Sequence, residues 1–480
     1  MLARTFSRSH RAAALATLLA VTSTPLVAQA DGSIDPSFGS GGFYDFAPFV
    51  DGEARSVSAT ALAPDGRIVT VQYLGMTSTF DDTEMCRINA NGNGHLCVDL
   101  TQNLGGNFAD RPNEVLVQPD GKRVIIGHAE KAVPAPGDTV YLGMVLRTNA
   151  VGDYDATFSG DGRAPIEPVA GYGDIALTSG ALLADGRIVV AGLTDDVADG
   201  YPYQGPTPFV ARLTAAGALD TSFSGDGRLR LPAQLGGGDD RVVDVAVQTD
   251  GRILLAIQSK DGGTQDRRPV ICRLTTNGAL DSSWDGDGCL EVAYNELNET
   301  IPEAIAVDRF GRVLLAGVGH TSIVYVGYGF VARFSPTGAP DTSFSGDGVF
   351  EFGMLDDDIT QVADLLLMPP PSDAIVLVGR FQISGDNLPY VIKATSTGSL
   401  DSTFSGDGKL ALEIPGVAQS DVRIGGVVSQ SGRLVVAGHL AGAGNHDRVW
   451  AGRLHQSAIF GDDFDAGNLD LWSAKTTGTP

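Results

Sequence analysis

Residues 219–231 read LDTSFSGDGRLRL, an acidic and glycine-rich stretch that recurs along the chain. Close copies are LDSSWDGDGCLEV (280–292), PDTSFSGDGVFEF (340–352) and LDSTFSGDGKLAL (400–412). Successive copies lie about 60 residues apart, and in the one double-length gap NANGNGHLCVDL (89–100) is a shortened copy. The sequence therefore contains seven units between Asp35 and about Gln456. The first aspartate of the motif falls at Asp35, Asp155, Asp220, Asp281, Asp341 and Asp401.

Each unit contains two further elements that indicate short strands. One is a hairpin turn, as in APDGRIVTV (63–71) and QTDGRILLA (248–256), where Asp-Gly between apolar β-branched runs favours a tight turn. The other is a short run ending in Arg or Lys, such as FVARLT (209–214). With the strand that follows the motif, these elements give four strands per unit. The pattern predicts an all-β fold, a seven-bladed β-propeller of four-stranded antiparallel blades, with a stacked solenoid as the alternative.

The four cysteines occupy the same two positions in two different units. Cys86 and Cys272 each precede the basic residue of the third element, and Cys97 and Cys289 each open the strand after the motif. An even number of cysteines in an exported chain indicates disulfides. We therefore predict the bridges Cys86–Cys97 and Cys272–Cys289, which require Cα atoms within about 7 Å. These bridges would make the two strands antiparallel neighbours in one blade.

This pairing also predicts how the ring closes. The innermost strand of a blade is then the one that enters the hairpin turn, such as Val243–Val247, and the strand after the motif is outermost. The N-terminal strand Phe43–Phe46 has no preceding partner, and the C-terminal strand Val449–Leu454 has no outer neighbour. We expect these two strands to pair and to remove two exposed sheet edges.

The motif itself has a structural and a metal-binding interpretation. In the favoured one, the segment forms a turn that anchors its aromatic residue in the core, and the GDG glycines take positive φ angles. In the alternative, paired acids hold Ca²⁺, although their spacing differs from that of an EF-hand. The candidate metal ligands are Asp220, Asp226, Asp281, Asp287, Asp341, Asp347, Asp401 and Asp407.

The stretches LDTSFSGDG, AVQTDGRILLA and ICRLTTNGALD resemble the delta-60 repeat, which occurs in tandem in exported bacterial proteins. The resemblance covers nearly the whole chain from Asp35 to Gln456. It implies a propeller-like fold and no established reaction or catalytic residues. The sequence departs from the pattern at the shortened second motif, at residues 372–374, and at the Phe310-Gly311 and Ser431-Gly432 turns, which leaves the turn type at these places open.

The termini and the charge bear on location and partners. Residues 1–30 combine three arginines, an apolar run and the triplet Ala28-Gln29-Ala30, the pattern of a signal peptide. We predict export to the periplasm, cell surface or medium, with residues 31–456 as the propeller and an acidic, partly disordered tail at 457–480. The sequence contains no predicted transmembrane segment. A net charge of −25 argues against a nucleic-acid partner.

A set of acids precedes the predicted inner strands. Inner strands of a propeller begin at one mouth of the central channel, so these carboxylates could form an acidic ring or recruit a cation. The alternative is that they are solvated loop residues, as we also expect for His128 and His439. The candidate ring residues are Glu53, Asp110, Asp174, Asp240, Glu299, Asp358 and Asp421.

Two functions remain open from the sequence. The first is an exported, non-enzymatic and monomeric binding scaffold for a surface glycan, peptide or protein, acting through loops such as 132–141, 198–207 and 261–268. The second is a cation-dependent hydrolase or lyase acting at the acidic channel mouth. No catalytic residues and no cofactor are predicted, apart from the Ca²⁺ alternative. The fold alone does not distinguish the two functions, because propellers host both.

Overall fold

The computed structural model consists of strands and turns, with no helix among the residues it describes. No described helix is long and apolar enough to cross a membrane. The signal-peptide and tail predictions, residues 1–30 and 457–480, fall outside the described part. The structure describes residues 31–46, 54–75, 82–100, 110–132, 139–169, 173–195, 206–231, 239–260, 267–292, 299–320, 327–354, 359–383, 386–415, 422–440 and 448–455.

The first part of the chain forms strand β1 and blades 1 to 3. Antiparallel pairing follows chain order within each blade, so the first strand of a blade is innermost. Blade 2 has three full strands. Its outer strand is reduced to two isolated β-bridges, which join Gly143 to Ile166 and Leu146 to Arg163. The strands are β1 (Phe43–Phe46), β2 (Ala54–Leu62), β3 (Ile68–Gly75), β4 (Asp82–Ile88), β5 (His95–Leu100), β6 (Asp110–Val117), β7 (Arg123–Ala132), β8 (Thr139–Thr148), β9 (Ile175–Leu182), β10 (Ile188–Thr194), β11 (Thr207–Leu213) and β12 (Arg228–Arg230).

The remaining strands form blades 4 to 7. Blades 4 to 6 have four strands each, and blade 7 contributes three of its own. The strands are β13 (Arg241–Val247), β14 (Ile253–Lys260), β15 (Arg267–Leu274), β16 (Cys289–Glu291), β17 (Glu299–Val307), β18 (Val313–His320), β19 (Gly327–Phe334), β20 (Val349–Phe352), β21 (Ile359–Leu367), β22 (Ile375–Ile383), β23 (Asp386–Ala394), β24 (Lys409–Ala411), β25 (Val422–Gln430), β26 (Arg433–Leu440) and β27 (Arg448–Leu454).

The N-terminal strand completes blade 7 and closes the ring. β1 pairs antiparallel with β27, with Phe43 opposite Gly452 and Phe46 opposite Val449. The inner strands contact one another in chain order, and β25 of blade 7 contacts β2 of blade 1. The seven-bladed propeller, its strand order and the closing pair are therefore confirmed.

The hydrophobic core lies between blades rather than inside a single sheet. One cluster joins Val189 of blade 3 to Ile253 and Leu255 of blade 4 around the motif ring of Phe223. The motif aromatics Phe158, Phe223, Trp284, Phe344 and Phe404 are all fully buried. Burying a large ring at each boundary contributes several kcal/mol, of the order of 3 per side chain, so the blades are held face to face.

Both predicted disulfides are present. Cys86 is bonded to Cys97, with Cα atoms 4.0 Å apart, and Cys272 is bonded to Cys289, with Cα atoms 4.1 Å apart. Each bridge joins directly opposed residues of the third and fourth strands of a blade. The cysteine positions therefore gave the correct strand pairing.

Every blade has a β-bulge at the same place in its inner strand. In β13, for example, Val242 and Asp244 lie opposite Ile257 and Ala256, so Val243 has no partner of its own. A bulge leaves backbone groups without a partner in the ladder. Amides close to three of these bulges donate to side chains of a neighbouring blade. The bulged residues are Ser58, Asn113, Thr178, Val243, Glu303, Ala363 and Gly425.

Candidate functional site

The recurring motif builds a compact group of side chains, which in blade 3 consists of Arg212, Asp220, Ser222 and Phe223. Asp220 accepts a 2.8 Å hydrogen bond from Arg212 Nε through Oδ2, and its Oδ1 accepts from the Ser222 hydroxyl at 2.6 Å. The Arg212 guanidinium lies over the Phe223 ring, 4.9 Å from its centroid, as a cation–π contact. We call this group the blade clamp.

The acid–base pair of the clamp recurs in six blades, with a cation–π contact in the five that use arginine and with Lys393 as the base in blade 6. In each of them the acid is eight residues after its basic partner, except where the ring closes through Asp35 and Arg453. A second cation from the hairpin turn also contacts most of these acids, as Arg187 contacts Asp220 at 3.1 Å. The buried pairs are Arg147–Asp155, Arg212–Asp220, Arg273–Asp281, Arg333–Asp341, Lys393–Asp401 and Arg453–Asp35.

The clamp acids are held in their ionised form. Burial alone would raise the pKa of Asp155. Hydrogen bonds from the Thr157 hydroxyl and amide, together with Lys122 and Arg147, instead lower this pKa to about 2. The pKa of Asp220 is lowered in the same way, because Ser222, Arg187 and Arg212 outweigh its burial. These carboxylates are therefore already neutralised by protein cations.

Each clamp also reaches across to the next blade. Arg212 Nη1 donates to the carbonyl of Thr276 in blade 4, and the amide of Ser224 donates to the carbonyl of Asn277 at 2.9 Å. Gly278 in the same turn lies against the Phe223 ring, where a Cβ atom would come within 2.9 Å. Arg147, Arg273 and Arg333 make the equivalent bond to Ala215, Pro336 and Ser396. The motif therefore joins neighbouring blades.

The second acid of each motif, in the GDG turn, has a different role. Asp226 Oδ1 accepts from the amide of Arg228 at 2.9 Å, and this turn is exposed. The same contact, with the amide of the second residue after the acid, is made by Asp287, Asp347 and Asp407. In the described part of the chain, one set of three ligating side chains lies within 4.8 Å, namely Glu84 with Cys86 and Cys97. Those two sulfurs are bonded to each other, and the Ca²⁺ alternative for the motif acids stays a prediction.

The predicted ring acids that the structure describes are each engaged locally. Asp174 accepts from the amide of Tyr141 at 3.1 Å, Asp240 accepts from the amide of Lys260 at 3.2 Å, and Glu299 lies 3.3 Å from Arg267. Asp110 is buried at the start of β6. Burial raises the pKa of Asp174 and of Asp240. Glu53, Asp358 and Asp421 lie outside the described residues.

A different set of acids lines the channel, at the position directly after the bulge. Glu114, Asp244 and Asp364 occupy this position in blades 2, 4 and 6. Asp244 accepts from the amide of Ile305 in blade 5 at 2.8 Å and from the Ser179 hydroxyl in blade 3 at 2.7 Å. Asp364 accepts from the amide of Val427 in blade 7 at 2.9 Å. These carboxylates accept hydrogen bonds from backbone amides that lie close to a bulge and have no partner within their own sheet.

Burial raises the pKa of all three channel acids, and the charge of a neighbouring acid adds to this at Glu114 and Asp244. Burial raises the pKa of Glu114 to about 8, with further contributions from the charges of Asp244 and Asp364. Burial likewise raises the pKa of Asp244 to about 6. The sequence pattern does not single out these residues, because they lie six positions before the hairpin turn, inside the apolar strand. Their shared offset was a signal that could have found them.

His439 takes part in the same capping and corrects one expectation. Its side chain is 5% exposed, and its Nδ1 accepts from the amide of Val57 in blade 1 at 3.1 Å. Burial lowers its pKa to about 4, so the ring is neutral at physiological pH. The prediction of a solvated loop histidine is therefore wrong at this position, because the free amide beside the blade 1 bulge needs an acceptor.

Comparison with known proteins supports the repeat assignment. Parts of blades 3, 4 and 6 match a family model described as a domain of unknown function (DUF5122) beta-propeller. The matched residues are 183–223, 248–283 and 371–404. The chain contains β-propeller repeats. No curated protein is similar to the chain in sequence at a significant level.

A comparison with solved structures gives matches of low similarity. The polysaccharide lyase Uly1 is 10% identical with a TM-score of 0.49, over 88% of this chain and 92% of the lyase. The beta-propeller domain of the Trilobed protease from Pyrococcus furiosus is 9% identical with a TM-score of 0.42, over 87% and 99% of the two chains. The NanB sialidase from Streptococcus pneumoniae is 10% identical with a TM-score of 0.42, over 88% and 70%. Similarity at this level carries no information about activity.

Proposed function

We propose that the protein is an exported, non-enzymatic scaffold of delta-60-type repeats that binds a glycan through one face of the propeller. The observation that carries this proposal is the contrast between the two faces. The motif face holds the hairpin turns and the blade clamps, which meet there, as the contact of Arg187 with Asp220 shows. The loop face lies at the opposite strand ends.

The motif face has little chemistry left for a ligand. Its clamp acids are paired with Arg or Lys, and its GDG acids accept from amides of their own turn. Several of its backbone atoms bond to the next blade. The hairpin turns on this face also vary little, with the same five-residue spacing in blades 1 to 5. Such uniformity is typical of a part that serves the fold.

The loop face varies between blades. The connection from the second to the third strand has two residues in blade 6, between Ile383 and Asp386, and twelve in blade 3, between Thr194 and Thr207. Variable connections on a rigid scaffold are where recognition usually resides. The three loops predicted from the sequence to bind a ligand each connect a second strand to a third, and most of their residues lie outside the described part of the chain.

Tyrosines are concentrated, by sequence position, in or beside the connections between strands of this face. Tyrosine combines a flat apolar ring with a hydroxyl and is enriched in binding surfaces. Sugar rings present matching apolar faces edged with hydroxyls, and a face so rich in tyrosine favours a neutral glycan over an anionic partner. Three described tyrosines lie at the ends of strands that lead into loop-face connections: Tyr73, Tyr141 and Tyr328. By sequence position, five more of the 11 tyrosines fall in connections outside the described residues: Tyr172, Tyr201, Tyr203, Tyr294 and Tyr325.

The test compares binding by two variants that alter opposite faces. In the first, residues 196–205 are replaced by Ser-Gly, the two-residue connection that blade 6 uses at the equivalent place. In the second, Asp226→Asn changes an exposed acid of the motif face. Fluorescent protein is applied to an array of bacterial and host glycans, and positive glycans are titrated by calorimetry. We expect the loop variant to lose at least about tenfold in affinity and the Asp226 variant to keep it.

Two results would contradict the proposal. One is an array without any bound glycan, and the other is full affinity in the loop variant. Mass spectrometry of the titrated glycan distinguishes a scaffold from a hydrolase or lyase, because a scaffold leaves the mass of its ligand unchanged. Shortened glycan products would show that the binding face is an active site.

A further inference from the structure

The boundary between blades 1 and 2 lacks the clamp acid, because the motif of blade 1 is shortened. Arg87 occupies the position of the clamp arginines, and its Nη1 donates to the carbonyl of Ala150 in blade 2 at 2.9 Å, as a clamp arginine does. Its Nε, which binds the aspartate in other blades, has no hydrogen-bond partner. The side chain is only 7% exposed.

A second arginine lies at the same boundary. Arg123 begins the second strand of blade 2, where blades 1, 3 and 4 have Ile68, Ile188 and Ile253. It is fully buried, and its Nη1 donates to the carbonyl of Asn149 at 2.9 Å. Its Nε and Nη2 have no hydrogen-bond partner. A charged residue therefore replaces an apolar one in the blade whose neighbour has lost the motif aromatic.

The two guanidinium groups are neighbours. They donate to the carbonyls of consecutive residues, Asn149 and Ala150. Burial lowers the pKa of Arg123, and the charge of Arg87 lowers it further. Arg67 is close enough to lower the pKa of Arg87, but its own ion pair is with Asp65, at an exposed site. Among the described residues, no carboxylate forms an ion pair with Arg87 or Arg123.

This arrangement lacks an acceptor. Buried donors are almost always hydrogen-bonded, and an unpaired buried charge costs several kcal/mol. A water molecule could accept the hydrogen bonds but would leave the two like charges without an ion pair, since Asp65 and Asp153 act on Arg87 from beyond ion-pair distance. We propose that a small inorganic anion of the size of chloride occupies the place of the missing clamp carboxylate, where it accepts from Nε of Arg87 and from Nε and Nη2 of Arg123. The burial of both side chains favours a monatomic anion over a larger group.

The first test is thermal unfolding of the mature protein in sodium chloride and in sodium gluconate at equal ionic strength. Gluconate is too large for a buried site, so only chloride should stabilise the folded state by binding. We expect the melting temperature to rise with the logarithm of the chloride concentration once this exceeds the dissociation constant, with a difference between the two salts of about 3 °C at about 100 times that constant. Equal melting temperatures in the two salts would overturn the proposal.

Two variants locate the effect. Arg123→Ile introduces the residue that blades 1, 3 and 4 have at this position, and it should abolish the difference between the salts. Lys131→Ala removes a positive charge from an exposed pair with Glu167 and should keep the difference. A chloride response that survives Arg123→Ile would overturn the proposal.

A measurement on the unmutated protein covers the case in which the Arg123 variant fails to fold. Crystals soaked in sodium bromide should show an anomalous peak between the guanidinium groups of Arg87 and Arg123. A map without a peak at this position would overturn the proposal. Bromide is a suitable probe because it has the charge of chloride and nearly its size.

Discussion

The boundary between blades 3 and 4 and the boundary between blades 1 and 2 solve the same packing problem differently. At the first, Phe223 lies under the Arg212 guanidinium and against Gly278, and Asp220 neutralises the cation. At the second, Gly152 faces Val98 instead of an aromatic ring, and Arg87 keeps its bond across the boundary without its acid. The comparison separates the parts of the motif that fill space from those that balance charge.

The ring tolerates one such irregular boundary. Blade 1 connects its third and fourth strands by a shorter link and ties them by the Cys86–Cys97 bridge. Arg123 is fully buried and bonds to the turn of blade 2 that Arg87 also contacts. The clamp is therefore one way of joining two blades, and other contacts can take its place. It recurs because the same boundary between blades recurs around the ring. The following expectations run from the largest effect to the smallest.

Removing a motif aromatic should have the largest effect. Phe223→Ala deletes a fully buried ring between two blades, and we expect a loss of about 3–5 kcal/mol in the free energy of unfolding. Val98→Ala at the irregular boundary removes a smaller and partly accessible side chain and should cost less than about 2 kcal/mol. Urea unfolding measures both. Equal losses would mean that the aromatic contributes no more than the valine.

Removing the clamp charge should come next. Asp220→Asn leaves Arg212, which is 1% exposed, without its counter-ion, and we expect a loss of about 3 kcal/mol. Asp226→Asn in the same motif changes an exposed turn and should stay within about 0.5 kcal/mol of the unmutated protein. Similar losses in the two variants would show that the buried ion pair has no special weight.

The two disulfides offer an internal comparison. Loop closure alone predicts that Cys272→Ser with Cys289→Ser, which opens a 17-residue link, costs about 3 kcal/mol, slightly more than opening the 11-residue link of Cys86 and Cys97. We expect the reverse order, because blade 1 has no clamp. The double-serine variants are compared by thermal unfolding, and the order expected from loop length alone would count against this view of blade 1.

Acid should affect the clamped boundaries selectively. The pKa of Asp155 is about 2 in the folded state, below its ordinary value of 3.8. A lowered pKa gives stability that is complete above the ordinary value and is lost as the pH falls through the folded value. We therefore expect the melting temperature to fall between about pH 4 and pH 2, and Asp155→Asn to reduce this dependence. An unchanged pH profile in the variant would contradict the assignment.

The fold could be predicted from the sequence because each unit repeats a hairpin turn, a strand ending in Arg or Lys, and the motif. It did not reveal the clamp, although the separation of eight residues between Arg212 and Asp220 recurs in other units and was a readable signal. The channel acids were harder to identify. Asp244 lies in an apolar strand, and the direction of its side chain is set by a β-bulge. No particular residue type marks the bulge in the sequence. Burial and pairing across blades become visible only when the ring is assembled.

A double-mutant cycle between Phe223 and Gly278 tests most directly whether the motif joins blades. Gly278 has φ +90° and lies against the ring, whereas Gly286 has φ +95° with nothing within 4 Å of its Cβ position. Gly278→Ala should cost about 1–2 kcal/mol less when Phe223 is already alanine, while the cost of Gly286→Ala should not change. A Gly278→Ala cost that is the same with and without the ring would contradict the account.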